Sequence, residues 1–179
     1  MLAYILIALA VIVILFFVIV ATRPPEFRVV RSATMSAAPG AVFAQVNDLR
    51  KWQAWSPWEN IDPNLKRKYE GAAAGAGAVY SWQGNKGVGE GRMTITESRP
   101  NEQINIKLEF LKPFTATNAA AFTFVPQGGQ TTVNWSMHGK NNFIFKALGM
   151  FCSMDKMLGG QFDQGLAKLK SVVESPTAH

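Results

Sequence analysis

Cysteine and histidine are almost absent from this chain. It has one cysteine, Cys152, and two histidines, His138 and His179, in 179 residues. A single cysteine excludes an internal disulfide and a multi-cysteine metal site, and it suits a reducing compartment. Cys152 lies in the apolar run LGMFCSM with no base beside it, so it reads as filler rather than as a nucleophile. His138 falls on the wet face of a predicted strand and His179 is the last residue, so no metal site and no cofactor are expected. Phosphate-binding and acyl-transfer motifs are missing too. Gly87-x-Gly89-x-Gly91 leads into a predicted strand rather than a helix. Ser153-Met-Asp-Lys156 matches S-x-x-K without its companion motifs.

One stretch lacks charge, glycine and proline altogether. Leu2 to Ala21 reads LAYILIALAVIVILFFVIVA. Twenty helical residues reach about 30 Å, the hydrocarbon thickness of a bilayer, so a transmembrane helix is predicted. The competing reading is a cleaved signal sequence, which needs a basic start and a shorter apolar run of about 7–15 residues. Nothing basic precedes this run, although Ile19-Val20-Ala21 keeps a cleavage site available. Arg23, Arg28 and Arg31 follow the run, which predicts a single-pass protein of the inner or plasma membrane with its domain in the cytoplasm.

All 18 basic and 12 acidic residues lie beyond Ala21, for a net charge of +6. Beside a bilayer the expected partners are anionic headgroups, at about 1 kcal/mol per nearby cation. Nucleic acid is not expected, because the cations are dispersed apart from Arg50-Lys51 and Lys66-Arg67-Lys68, and no recognition motif accompanies them.

The remainder divides into a linker over 23–26, one domain over 27–174 and a tail over 175–179. A strand is predicted over Phe27 to Met35. Pro39 then opens a helix running towards Leu49, and an aromatic, proline-broken loop follows from Trp52 to Pro63. Six further strands are predicted: Lys66 to Glu70, Ala78 to Gln83, Glu90 to Ser98, Gln103 to Leu111, Ala119 to Val125 and Thr131 to His138. Short glycine- and proline-containing turns between them predict an antiparallel meander. Ile104, Ile106, Leu108 and Phe110 alternate with Asn105, Lys107 and Glu109, so one face is apolar and one wet. From Asn142 to Glu174 apolar residues recur every three or four positions, including Ile144, Leu148, Phe151, Met154, Leu158, Phe162, Leu166 and Leu169. That stripe predicts one long amphipathic helix covering the sheet, with Gly159-Gly160 marking a bend or a close approach. The predicted class is α+β, a helix-grip fold of about seven strands curved around a long C-terminal helix.

Several segments in this order carry a family resemblance. They are Trp52, Trp55, Pro57-Trp58, Asp62-Pro63, Tyr69-Glu70-Gly71, Tyr80, Trp82-Gln83-Gly84-Asn85, Gly89-Glu90-Gly91, Ile95, Pro100 and Leu108-Glu109-Phe110. From about Phe27 to Val173 the chain resembles the SRPBCC superfamily of START lipid-transfer domains, the birch pollen allergen and polyketide cyclases. Within it, the chain is most similar to the bacterial polyketide cyclase/dehydrase-type proteins. The resemblance implies the helix-grip fold and is compatible with binders, transporters and enzymes alike.

Twelve Phe, five Trp and seven Met serve a modest domain and its anchor; such residues ordinarily build core, and where a curved sheet leaves a gap beneath its helix they suit an apolar pocket for a hydrophobic small molecule or lipid. Trp82, Met93, Phe110, Phe122, Trp135, Met150 and Met154 are expected to line a gap between sheet and helix, with Trp55 and Trp58 near its mouth. The alternative is a cyclase- or dehydrase-like enzyme using Glu97, Glu59 or Tyr80, with a carboxyl pKa raised by a greasy site. Glu97 continues the alternation of Met93 and Ile95 and is expected to face the apolar side. A third reading is a regulatory partner of another membrane protein that holds no ligand.

Overall fold

The computed structural model describes residues 1–151 and 153–175, so Cys152 and the tail with His179 lie outside the described residues. The apolar run forms helix α1 (Leu2–Thr22), and strand β1 (Glu26–Met35) begins after only three residues. Helix α2 (Pro39–Asn47) and a 3₁₀ turn (Leu49–Ala54) lead through the tryptophan loop into six more strands. These are β2 (Lys66–Gly71), β3 (Ala78–Gln83), β4 (Glu90–Arg99), β5 (Gln103–Lys112), β6 (Ala116–Gln127) and β7 (Gln130–Lys140). Helices α3 (Phe143–Leu148) and α4 (Met154–Glu174) complete the chain. The seven strands form one antiparallel sheet in the order β1-β7-β6-β5-β4-β3-β2. The helix-grip prediction therefore holds, with α4 lying on the side of the sheet where the aliphatic residues alternate inward.

The anticipated single C-terminal helix is in fact two. Asn142 caps α3 by accepting from the Phe145 N–H, and Ser153 caps α4 by accepting from the Lys156 N–H. Two N-caps within twelve residues make a break at Gly149–Ser153 cheaper than continuing through it. As a result Ile144, Leu148 and Phe151 leave the core stripe and are exposed, while Phe162, Leu166 and Leu169 remain buried.

The glycine pair has its explanation in a close approach. A side chain at Gly159 would collide with the guanidinium of Arg31, which reaches across from β1 to pair with Asp155 at 2.7 Å and Asp163 at 3.2 Å on α4. Six residues further on, a Cβ at Gly165 would lie 2.8 Å from the Trp135 ring and 3.1 Å from Pro57. Trp135 is held between two stacked rings, Phe162 at 4.1 Å and Phe122 at 4.9 Å, and so cannot retreat. Two further indoles secure α2. Trp52 donates its ring N–H to the Val46 carbonyl at 2.9 Å and Trp55 donates to the Gln45 carbonyl at 3.3 Å. These are carbonyls of the last turn, which have no partner within the helix.

This geometry sets two glycines against each other. Gly165→Ala gains about 1 kcal/mol of helix propensity but forces an overpacked contact that costs about 1–3 kcal/mol, so the denaturation midpoint of the full chain in mild detergent should fall. Gly160→Ala meets nothing within 4 Å and should raise it by up to about 1 kcal/mol.

Candidate functional site

The inner face of the sheet has a deep half and a shallow half. In the deep half, Trp52, Trp55, Phe122, Trp135 and Phe162 form one aromatic cluster, with neighbouring ring centroids between 4.1 and 6.3 Å apart. Trp58 closes it edge-on against Trp135 at 5.7 Å and Phe162 at 6.1 Å. Trp55 was expected near a mouth, but it is wholly buried in this cluster. The reason is its indole N–H, which is committed to the α2 carbonyl and holds the ring inward. Trp58, by contrast, is half-buried. Of the expected lining, Phe122 and Trp135 therefore belong to solid core.

The shallow half holds the rest. Register places Leu108 opposite Met93 and Asn118, and Met93 opposite Tyr80, all on the inner face. Trp82 meets Phe110 edge-on at 6.0 Å. Phe110, Leu108, Met154 and Leu158 are only partly buried and pack against the core from outside, and Met150 is half-buried between α3 and α4. Within this greasy face Asn118 is 8% exposed and its side-chain oxygen has no hydrogen-bond partner; the buried Trp135 ring N–H also lacks one. Unsatisfied polar atoms of this kind are uncommon in folded proteins, because each costs about 1–3 kcal/mol.

Two of the predicted polar residues do come together. The Tyr80 hydroxyl donates to one Glu59 oxygen at 2.6 Å, and Arg67 Nε donates to the other at 2.6 Å. Arg67 also donates to the Glu59 backbone carbonyl at 3.2 Å. Tyr69 stacks on Tyr80 at 5.1 Å and takes a hydrogen bond from Gln53 at 2.9 Å. Burial, then the hydrogen bond to Glu59, pushes the Tyr80 phenol well above its ordinary pKa. Both oxygens of Glu59 are occupied, and the group ties the tryptophan loop to β2 and β3.

Glu97 is a correction. A β-bulge between Ile95 and Glu97 shifts the register by one, so the side chain turns to the wet face. There it accepts from Asn105 at 2.6 Å and lies 3.4 Å from Arg99. It faces no apolar space.

A feature that the periodicity did not isolate lies at the rim. Phe143, Ile144, Leu148 and Phe151 around α3, with Leu111 near the end of β5 and Phe114 of the β5–β6 turn, are exposed; Phe151 is 82% exposed. Phe143 stacks on Phe17 of α1 at 5.7 Å, and Phe145 meets Phe114 edge-on at 5.8 Å. Lys146 donates to the Ala21 carbonyl at 2.8 Å, capping the end of α1. So α3 spans from the apolar helix to the turn at the open end of the sheet. The signal was present in the sequence: from Phe143 to Phe151 only Lys146 is charged, so this segment is apolar around its whole circumference.

The model of the family described as polyketide cyclase / dehydrase and lipid transport matches residues 26–174. The chain belongs to that family. Solved structures agree on the fold of this family member. CV1439 from Chromobacterium violaceum is similar with a TM-score of 0.60 at 17% identity, covering 86% of this chain and 100% of that one. SA2116 from Staphylococcus aureus gives a TM-score of 0.66 at 8% identity, covering 88% and 99%. The Aha1 dimer from Colwellia psychrerythraea gives 0.56 at 14%, covering 85% and 99%. At these identities the likeness concerns architecture alone. No curated protein matches the chain.

The Tyr80–Glu59 pair carries a pH signature. An unfolded tyrosine ionises near pH 10, whereas folded Tyr80 resists. Its contribution is therefore fully present below about pH 10 and is lost as pH rises above it towards the raised folded value. Tyr80→Phe should cost about 1–3 kcal/mol at neutral pH by stripping a buried carboxylate oxygen of its donor. It should also flatten the loss of stability above about pH 10, read from denaturation midpoints measured across pH.

Proposed function

We propose that this protein is a membrane-tethered module that takes a lipid-like molecule into the shallow half of its helix–sheet space. The observation that carries this reading is the apolar rim. One of the exposed phenylalanines at the open end of the sheet, Phe143, stacks on α1 itself, and the other exposed apolar residues continue the rim from it. α1 is long and apolar enough to cross a membrane, by length and composition. Phe17 lies five residues before the end of α1, so the ring stacked on it sits about 7.5 Å below that end. Interfacial apolar groups bury about 5–10 Å into a bilayer, which is the same depth. An entrance built this way opens onto lipid, and a guest moves from the acyl region towards Leu108, Met93, Phe110 and Trp82 without crossing water. Asn118 supplies an unused acceptor where the polar end of a guest would arrive. The deep aromatic cluster is the floor that limits how far it enters. The arginines after α1 favour a cytoplasmic domain.

Catalysis by the residues weighed above has less to work with. Glu97 faces solvent, and both Glu59 oxygens are already engaged.

The test is retention. The full chain, purified in a detergent that preserves lipids, should carry an apolar molecule visible by native mass spectrometry and should take up fluorescent fatty acids or prenols. Leu108→Trp, at a half-buried position that tolerates added bulk, should cut uptake at least about ten-fold while moving stability by less than about 1–3 kcal/mol. A wild-type chain that stays empty in both assays refutes the proposal.

A further inference from the structure

At the exit of α1 a concavity of about 250 Å³ lies between the linker, β1, α3 and the start of α4. It has room for about eight waters at bulk density. Three cationic residues border it: Arg23, Lys146 and, from the outer face of the edge strand β1, Arg28. Among the described residues neither Arg23 nor Arg28 meets a carboxylate. Lys146 spends one N–H on the Ala21 carbonyl and keeps two. The one anion in the lining, Asp155, is already held by the two terminal guanidinium nitrogens of Arg31, at 2.7 and 2.9 Å, and its pKa is pushed down by that partner. The surplus is therefore positive. Phe27 and Phe145 give the same hollow an apolar floor.

From this geometry we infer a binding site for the phosphate of an anionic phospholipid headgroup, held by Arg23 and Lys146, with Arg28 reaching round the free edge of β1. Location decides the source of the phosphate. Arg23 and Pro24 are the first residues beyond α1, so the hollow opens at the level of the headgroups when α1 spans a bilayer. The inference rests on the membrane reading above and is independent of any guest inside the sheet. Guanidinium groups bind phosphate in a forked geometry, and an ammonium adds a point charge, a combination suited to a phosphodiester. The apolar floor suits the glycerol and first methylenes that follow it. A headgroup held there would also fix the rotation of the domain about α1, and with it the side on which the rim meets the lipid.

The experiment uses the full chain in nanodiscs of phosphatidylcholine with a minority of phosphatidylglycerol, with native mass spectrometry counting retained lipids after mild delipidation. The wild type should keep one phosphatidylglycerol with at least about ten-fold preference, as expected where each nearby cation contributes to anionic-lipid binding. Arg23→Gln/Arg28→Gln/Lys146→Gln should bring the preference below about two-fold, while Lys51→Gln/Lys66→Gln/Lys86→Gln, which removes equal charge elsewhere, should leave it intact. Equal loss in both triple variants, or no preference in the wild type, overturns the site. Displacement of the lipid by millimolar inorganic phosphate overturns its assignment to a headgroup. Loss of the chain from the nanodisc fraction would instead refute the membrane reading, a separate and visible outcome.

Discussion

The fold depends on a single grip: the stack of Phe162 on Trp135 at 4.1 Å. Everything around it serves to let α4 come that close. Glycine at 165 removes the side chain that would strike the indole, and glycine at 159 admits the Arg31 guanidinium. Proline and tryptophan residues of the 52–58 loop then fill the remaining side. Because the cluster is made of flat, rigid rings packed at van der Waals distance, it tolerates no added volume, and the helix is fixed in height and rotation. That fixed height creates the contrast between a solid deep half and a looser shallow half. Where α4 starts and α3 turns away, apolar side chains such as Met154 and Leu158 become partly exposed.

Ion pairing contributes orientation rather than depth. Arg31 is an inward-facing cation on a strand whose neighbours on that face are Phe27, Val29, Ala33 and Met35. It spans two carboxylates eight residues apart on α4, so it sets the direction in which the helix crosses β1. The Glu59–Arg67–Tyr80 group does the same for the tryptophan loop. Each is a small, directional device laid over a non-directional aromatic core. The partly exposed Arg31 pairs add little net stability, but they distinguish one docking of a helix from another.

Much of this was legible from residues alone. The strands could be placed because inward aliphatics alternate with polar residues over whole lengths, as in Ile104 to Phe110, and because the turns carry glycine or proline. Gly159-Gly160 was readable as a close approach, although the sequence did not say that an arginine would be the visitor. Three things were not legible. The bulge at Glu97 reverses one side chain without changing the composition of its strand. The burial of Trp55 follows from a hydrogen bond to a carbonyl ten residues earlier, which periodicity does not encode. The break before α4 was masked because apolar residues run straight through it, and a stripe three or four apart looks the same whether it is buried in a core or left exposed.

The joint between α1 and β1 is three residues long, and the β1–β7 ladder already reaches back to it, through the Asn141 N–H donating to the Pro25 carbonyl at 2.7 Å. Fully extended, three residues reach about 10 Å. With α1 in a bilayer, a domain on so brief a hinge cannot shuttle cargo across an aqueous gap to a second membrane. On the proposed function, its clientele would be confined to molecules drifting laterally through its own leaflet, and any handover would come from a neighbour diffusing in the same sheet of lipid.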